Sequence, residues 1–99
     1  MAASSSSIVR TVHVRIEGRV QGVGYRAWVT DTARVLQLEG WVRNCRDGAV
    51  EAAFSGTDTQ VADMLVRCER GPSLARVRQV VVVQEGVDVA PGFTVLPTI

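Results

Sequence analysis

The hydrophobic pattern of this chain changes period repeatedly, and that switching constrains its fold more than any single residue does. From Arg10 to Glu17 apolar and polar residues alternate, with Val12, Val14 and Ile16 on one side and His13, Arg15 and Glu17 on the other. A period of two is the pattern of a half-buried strand. Past the glycine-bearing stretch Gly18 to Gly24 the period lengthens. Tyr25, Trp28, Val29, Ala33 and Leu36 then fall on one face of a helix expected over Tyr25 to Leu38, with Gly40 ending it. Trp41 to Cys45 and Ala49 to Ser55 read as two strands joined across Asp47-Gly48, a strong hairpin pair. Thr57 and Gln60 have capping-box spacing, and Val61, Met64, Leu65 and Cys68 supply the apolar face of a second helix. Gly71-Pro72 stops that helix. Val77 to Gln84 predicts a fourth strand, in which a bulge near Arg78 or Gln79 would let Val77, Val80 and Val82 share a face. Phe93 to Leu96 reads as a short fifth strand.

The order β-α-β-β-α-β, followed by a C-terminal strand, predicts an α+β fold of the ferredoxin-like, split βαβ type. Two helices would pack on one face of a mostly antiparallel sheet. The first two strands run parallel through a right-handed crossover, and the third lies between them. Their C-terminal ends then emerge on one rim, roughly 10 Å apart, or two strand spacings. The glycine stretch leaves one of these ends and Asn44 sits near the other.

Ninety-nine residues and a 46% hydrophobic fraction suit one domain, expected over residues 8–99, with one modest core. Met1 to Ser7 is small and polar, lacks the apolar centre of a signal peptide, and reads as a flexible tail. A net charge of +1 argues against a nucleic-acid partner held by bulk electrostatics. The longest apolar run, Val80 to Val83, is too short to cross a membrane, so no membrane partner is expected. Cys45 and Cys68 lack metal-ligand spacing and read as a reduced pair in a cytoplasmic protein. A monomer without cofactor or metal is expected.

The stretch Gly18 to Gly24 carries three glycines and leads into a helix N-terminus. The second helix has Thr57 as a cap, but no Ser, Thr, Asp or Asn lies between Gly18 and Tyr25 to cap the first. First-turn N–H groups without partners, together with the helix dipole, favour an anion. Glycines let backbone curl around a phosphate, and Arg26 adds a permanent charge with a planar donor fork. A glycine-rich strand–helix turn beside a surface arginine accounts for these residues equally well. A Walker loop is excluded because no Gly-Lys-Ser/Thr follows. The glycine spacing and the short chain exclude a dinucleotide fingerprint.

The stretch Gly18-Arg-Val-Gln-Gly-Val-Gly-Tyr-Arg26 resembles the acylphosphatase signature, as does Gly40-Trp-Val-Arg-Asn44 followed by Asp47-Gly48. Gly71-Pro-Ser-Leu-Ala-Arg-Val77 and Gly92-Phe93 are also similar to that family, and the resemblance extends over about residues 10–97. It implies hydrolysis of the carboxyl–phosphate bond of acyl phosphates. It also implies catalytic roles for Arg26 and Asn44. The phosphate would lie in a cradle made by Gln21, Gly22, Val23, Gly24, Tyr25 and Arg26, where inorganic phosphate or sulfate would inhibit. Two departures stand out: Tyr25 replaces a common Phe, and Gln37 stands where the family often has glycine, a plausible left-handed position.

This chemistry suits a chain without a metal cluster. The departing carboxylate has a conjugate-acid pKa of about 4 and needs no protonation at neutral pH. Positioning and charge stabilisation then dominate. Arg26 and the loop amides would hold the phosphoryl oxygens, and Asn44, which does not titrate, would orient the attacking water. His13 reads as a solvated residue, Trp28 and Trp41 as packing residues, Cys45 as a turn or rim thiol, and Cys68 as part of the buried helix face. Arg67, Arg70, Arg76 and Arg78 read as solvated. An RNA-binding module would need stacking aromatics on its central strands, and Ala49 to Ser55 offers only Phe54. A phosphate-binding accessory domain without turnover is the other alternative.

Overall fold

A computed structural model describes residues 9–99, so the expected tail Met1 to Ser7 lies outside the described residues. The elements run β1 (Val9–Arg19), α1 (Tyr25–Val35), β2 (Glu39–Asn44), β3 (Val50–Thr57), α2 (Asp58–Arg70), β4 (Arg76–Glu85) and β5 (Phe93–Val95). One mixed sheet is ordered β4-β1-β3-β2-β5. β3 pairs antiparallel with both β1 and β2, and β5 pairs parallel with β2. The expected ferredoxin-like, split βαβ arrangement is therefore the one found.

Alternation builds the core. Val12, Val14 and Ile16 of β1, Val42 of β2, and Val50, Ala52 and Phe54 of β3 all point to one face and are fully buried. Val29 and Ala33 of α1, and Val61, Met64 and Cys68 of α2, close over them in one cluster. The opposite face is polar and bound by ion pairs. Arg15 bridges Glu17 (2.8 Å) and Asp47 (2.6 Å), Arg78 reaches Glu17 (2.7 Å), and Arg43 reaches Glu51 (2.9 Å) while lying over the Trp41 ring.

Several boundaries differ from the sequence reading. β1 continues through Gly18 to Arg19, so the loop before α1 is shorter than expected. The extra strand length pairs Gly18 with Val77 and Arg19 with Arg76, beyond a bulge that skips Arg78. α1 stops at Val35, three residues before Leu38. Gly40 lies within β2 and does not end the helix. At φ 140° it lets the strand approach β3 so closely that a Cβ there would stand 1.8 Å from the Ala53 carbonyl oxygen. Gln37 ends the helix instead: it is the one described non-glycine residue with positive φ, 60°. Its N–H bonds the Arg34 carbonyl (3.0 Å) and the Leu38 N–H bonds the Ala33 carbonyl (2.8 Å), a Schellman motif with buried Leu38 as its apolar latch.

The expected bulge near Arg78 is present. Val77, Val80 and Val82 lie opposite Gly18, Ile16 and Val14 and so share a face, on which Val77 and Val80 pack against the core while Val82 stays exposed. A second irregularity skips Val83. Where the site is concerned, the useful register is at Val50, which pairs with Ile16 on one side and Asn44 on the other. β1 and β2 thus deliver their C-terminal ends to the same rim.

Candidate active site

Between β1 and α1 the chain turns through Val20 to Gly24. Gly22 (φ 73°) and Gly24 (φ 79°) are both left-handed, and a Cβ at either would meet nothing within 4 Å. Glycine is required at these positions by backbone conformation and not by crowding. Left-handed residues in such a turn aim successive N–H groups inward, the geometry of an anion nest. Gly24 is the N-cap of α1 and provides no side-chain cap, and the first turn carries no acidic residue. At α2, by contrast, the Gln60 N–H donates to Thr57 Oγ1 (3.2 Å) and the Thr57 N–H donates to Gln60 Oε1 (2.9 Å). The first helix therefore presents uncapped donors where the second has closed its own.

Tyr25 and Gln21 fix this turn in place. The Tyr25 ring is 1% exposed, and its hydroxyl donates to the Cys68 carbonyl (2.7 Å), which anchors the start of α1 to the end of α2. Burial raises the Tyr25 pKa well above the usual phenolic value. At the other end of the turn, Gln21 Nε2 donates to both the Cys45 carbonyl (2.7 Å) and the Ala49 carbonyl (2.8 Å). The Gln21 side chain thus ties the glycine turn to the hairpin that follows Asn44. Residue spacing could not show this tie, because it depends on β3 bringing two distant segments together.

The rim holds a cleft of about 380 Å³, lined by Val20, Gln21, Gly22, Gly24, Tyr25, Arg26, Ala27, Asn44 and Val95. Val23 is partly buried against the core and contributes backbone to the turn. Arg26, Asn44 and the turn, expected together from the sequence, share this one cleft. Ala27 and Val95 were not foreseen: Ala27 belongs to no motif, and β5 reads from the sequence only as a strand.

Within the cleft, Arg26 and Asn44 are distinctive by position: among the described residues Arg19, Arg34, Arg46, Arg70 and Arg76 are likewise in no ion pair, and His13 Nε2, on the opposite face of the sheet, is likewise buried without a hydrogen-bond partner. The ion pairs of the described residues occupy Arg10, Arg15, Arg43, Arg67 and Arg78, and Arg26 takes part in none of them. Asn44 Oδ1 is buried and accepts no hydrogen bond among the described residues. An unmet buried acceptor is costly, and a small donor such as water relieves it.

The remaining candidates fall away from the cleft. His13 lies on the polar face, opposite Asn44, and is not solvated as the sequence suggested. Its side chain is 19% exposed, tilted against Trp41 and 3.7 Å from Glu51. Cys45 is also more enclosed than expected. It opens the hairpin turn, one of its two expected placements, but is buried there; burial followed by the nearby Glu51 and Asp47 charges raises its pKa, so it is a poor thiolate. Cys68 is fully buried as expected, with its thiol pushed up to about 12 by burial. Trp28 packs partly against the core as expected. Arg67 and Arg78, expected to be solvated, are exposed but paired with Asp63 and Glu17. No cluster of three metal-ligating side chains occurs among the described residues. No described helix is long and apolar enough to cross a membrane. The polar sheet face presents paired arginines around the His13–Trp41 contact, not the free basic and stacking surface that RNA binding uses.

A family model described as acylphosphatase matches residues 12–95. An acylphosphatase of Rhodopseudomonas palustris is 57% identical, with 84% of this chain and 82% of the relative covered. An acylphosphatase of Rhodospirillum rubrum is 46% identical, with 92% of this chain and all of the relative covered. Among solved structures, an acylphosphatase from Coxiella burnetii superposes with a TM-score of 0.84 at 34% identity, covering 89% of this chain and 93% of that one.

Proposed function

Because the chain belongs to the acylphosphatase family and hydrolyses acyl phosphates to a carboxylate and inorganic phosphate, we propose that Arg26, Asn44 and the Gln21–Arg26 backbone carry the reaction. The observation that carries this assignment is Asn44 Oδ1, a buried acceptor without a partner that lines the same cleft as the uncapped start of α1.

In this reading the phosphoryl group enters at the N-terminus of α1. The backbone N–H groups of the turn and the Arg26 fork donate to its non-bridging oxygens. Asn44 Oδ1 accepts a hydrogen bond from a water, which turns a lone pair of that water toward phosphorus. As the water oxygen bonds to phosphorus, the bond from phosphorus to the acyl oxygen breaks and its electron pair leaves on the carboxylate. With a conjugate-acid pKa of about 4, that carboxylate departs without a general acid. One proton of the water stays on its oxygen and the other passes to a phosphoryl oxygen, which yields dihydrogen phosphate; release of a proton to solvent then gives monohydrogen phosphate. Negative charge moves during the reaction, and Arg26 and the loop dipoles are already placed to meet it. No step calls for a metal or a cofactor.

A monomer is the proposed working unit. The buried thiols of Cys45 and Cys68, both free, support a reducing, cytoplasmic setting. The product occupies the phosphate end of the cleft, so inorganic phosphate, and sulfate by the same geometry, inhibits competitively. The test is hydrolysis of benzoyl phosphate by chelator-treated protein, paired with amide spectra during phosphate titration. The expected result is unimpaired turnover, competitive inhibition, and shifts concentrated at Gly22 to Arg26. Turnover that disappears with chelation, or shifts located elsewhere, contradicts the proposal.

A further inference from the structure

We propose that Val95, together with Ala27, is the wall against which the acyl group packs, so that Val95 sets the preference among acyl phosphates. The inference rests on the phosphate site described above. Its first support is the allocation of the cleft. The turn and Arg26 face the phosphoryl oxygens, and Asn44 faces the water. Val20 is 1% exposed and forms the floor, and the Tyr25 ring is turned away into the core. Of the cleft's lining residues, Ala27 and Val95 are left to offer exposed apolar surface.

Its second support is that Val95 is exposed yet held. The side chain is 50% exposed, and it is the one large exposed hydrophobic residue that lines this cleft. Its strand lies at the sheet edge, paired with β2 alone, and is held on either side of Val95 along the chain. Phe93 is buried and stacks on Phe54 at 5.9 Å, and its carbonyl accepts from Arg34 (3.2 Å). The Leu96 N–H donates to the Val42 carbonyl (2.9 Å), and the Ile99 N–H donates to the Asn44 carbonyl (3.1 Å). Val95 pairs with Val42, so it shares the face of Asn44, one strand over and one pleat back. A water-exposed valine on a fixed strand gains from being covered, and an acyl group on a phosphate in this cleft can cover it.

The chemical class that follows is an acyl phosphate with an apolar acyl group, aromatic or branched, in preference to one with a minimal or charged group. The test is Val95→Thr, which keeps the branched shape and adds a hydroxyl on an exposed strand. kcat/KM is measured for benzoyl phosphate and for acetyl phosphate, alongside the phosphate inhibition constant. The expected result is a benzoyl-to-acetyl ratio about tenfold lower than in the unaltered protein, the lower end of what an apolar contact gives in discrimination. Acetyl phosphate turnover and phosphate inhibition stay within about twofold. An unchanged ratio, with phosphate still shifting the Gly22 to Arg26 amides, overturns the acyl wall and leaves the phosphate site standing. An equal loss on both substrates also overturns it, because Val95 would then act on the shared half of the substrate. Phosphate that fails to shift those amides in the unaltered protein overturns both proposals together.

Discussion

Gln37 holds φ at 60° because the Schellman motif at the end of α1 needs a left-handed residue there. A side chain in that conformation costs on the order of 1 kcal/mol, whereas glycine adopts it freely. The greater freedom of glycine in the unfolded chain offsets part of the gain. Gln37→Gly is therefore expected to stabilise by about 0.5 kcal/mol, raising the thermal midpoint by a few degrees. A lowered midpoint would show that the Gln37 side chain contributes more than its backbone costs. This position was legible in the sequence as a departure from the family's glycine. The exact end of α1 was not, because Leu36 continues the apolar period while serving as the C-cap. At the cleft, Arg26 and Asn44 were legible by motif. The second job of Gln21, donating to Cys45 and Ala49, was not, since neither carbonyl is near it in sequence.

Strands β1 and β4 show how one carboxylate can serve a whole element. Glu17 accepts hydrogen bonds from Arg15, Arg78 and Gln79, so it spans the bulge at Arg78 where β4 changes register. Arg15 first, then Arg78 and Gln79, hold its pKa down to about 2, from an ordinary 4.5. A carboxyl depressed in the folded state contributes its stability above the unfolded pKa and loses it as pH falls through the folded one. The Glu17 contribution is thus whole above about pH 4.5 and fades toward pH 2. Glu17→Gln should be less stable than the unaltered protein at neutral pH, and urea midpoints of the two should converge as pH falls through that window. Midpoints that run parallel from pH 7 to pH 2 would remove Glu17 from this role. Asp47 and Glu85, also depressed by arginine partners, add to the common acid sensitivity of both proteins. The bulge near Arg78 was readable from the valine run, because only a skipped residue puts Val77 and Val80 on one face. The second irregularity, at Val83, falls in a uniform stretch where either register leaves a valine inward, so the sequence carried no sign of it.

At the scale of the whole molecule, the split βαβ connection makes the site. β3 lies between β1 and β2, so the turn before α1 and the end of β2 reach one rim from positions far apart in sequence. Period switching alone was enough to predict that convergence. The apolar wall at Val95 was not readable, because it depends on β5 pairing with β2 in parallel register. In the proposed scheme labour divides across the rim: Arg26 would bind the phosphoryl group, and Asn44 would position water. Phosphate is charged both in the bound substrate and in the transition state, so Arg26→Ala should weaken phosphate inhibition and slow turnover together. Binding does not need the water, so Asn44→Ala should leave phosphate affinity within a few-fold. The most direct test is to measure kcat for benzoyl phosphate and the phosphate inhibition constant on folded Asn44→Ala protein. A kcat lower by a factor on the order of 10² or more, at nearly unchanged phosphate affinity, is the predicted result. Lost phosphate affinity with kcat retained would contradict it.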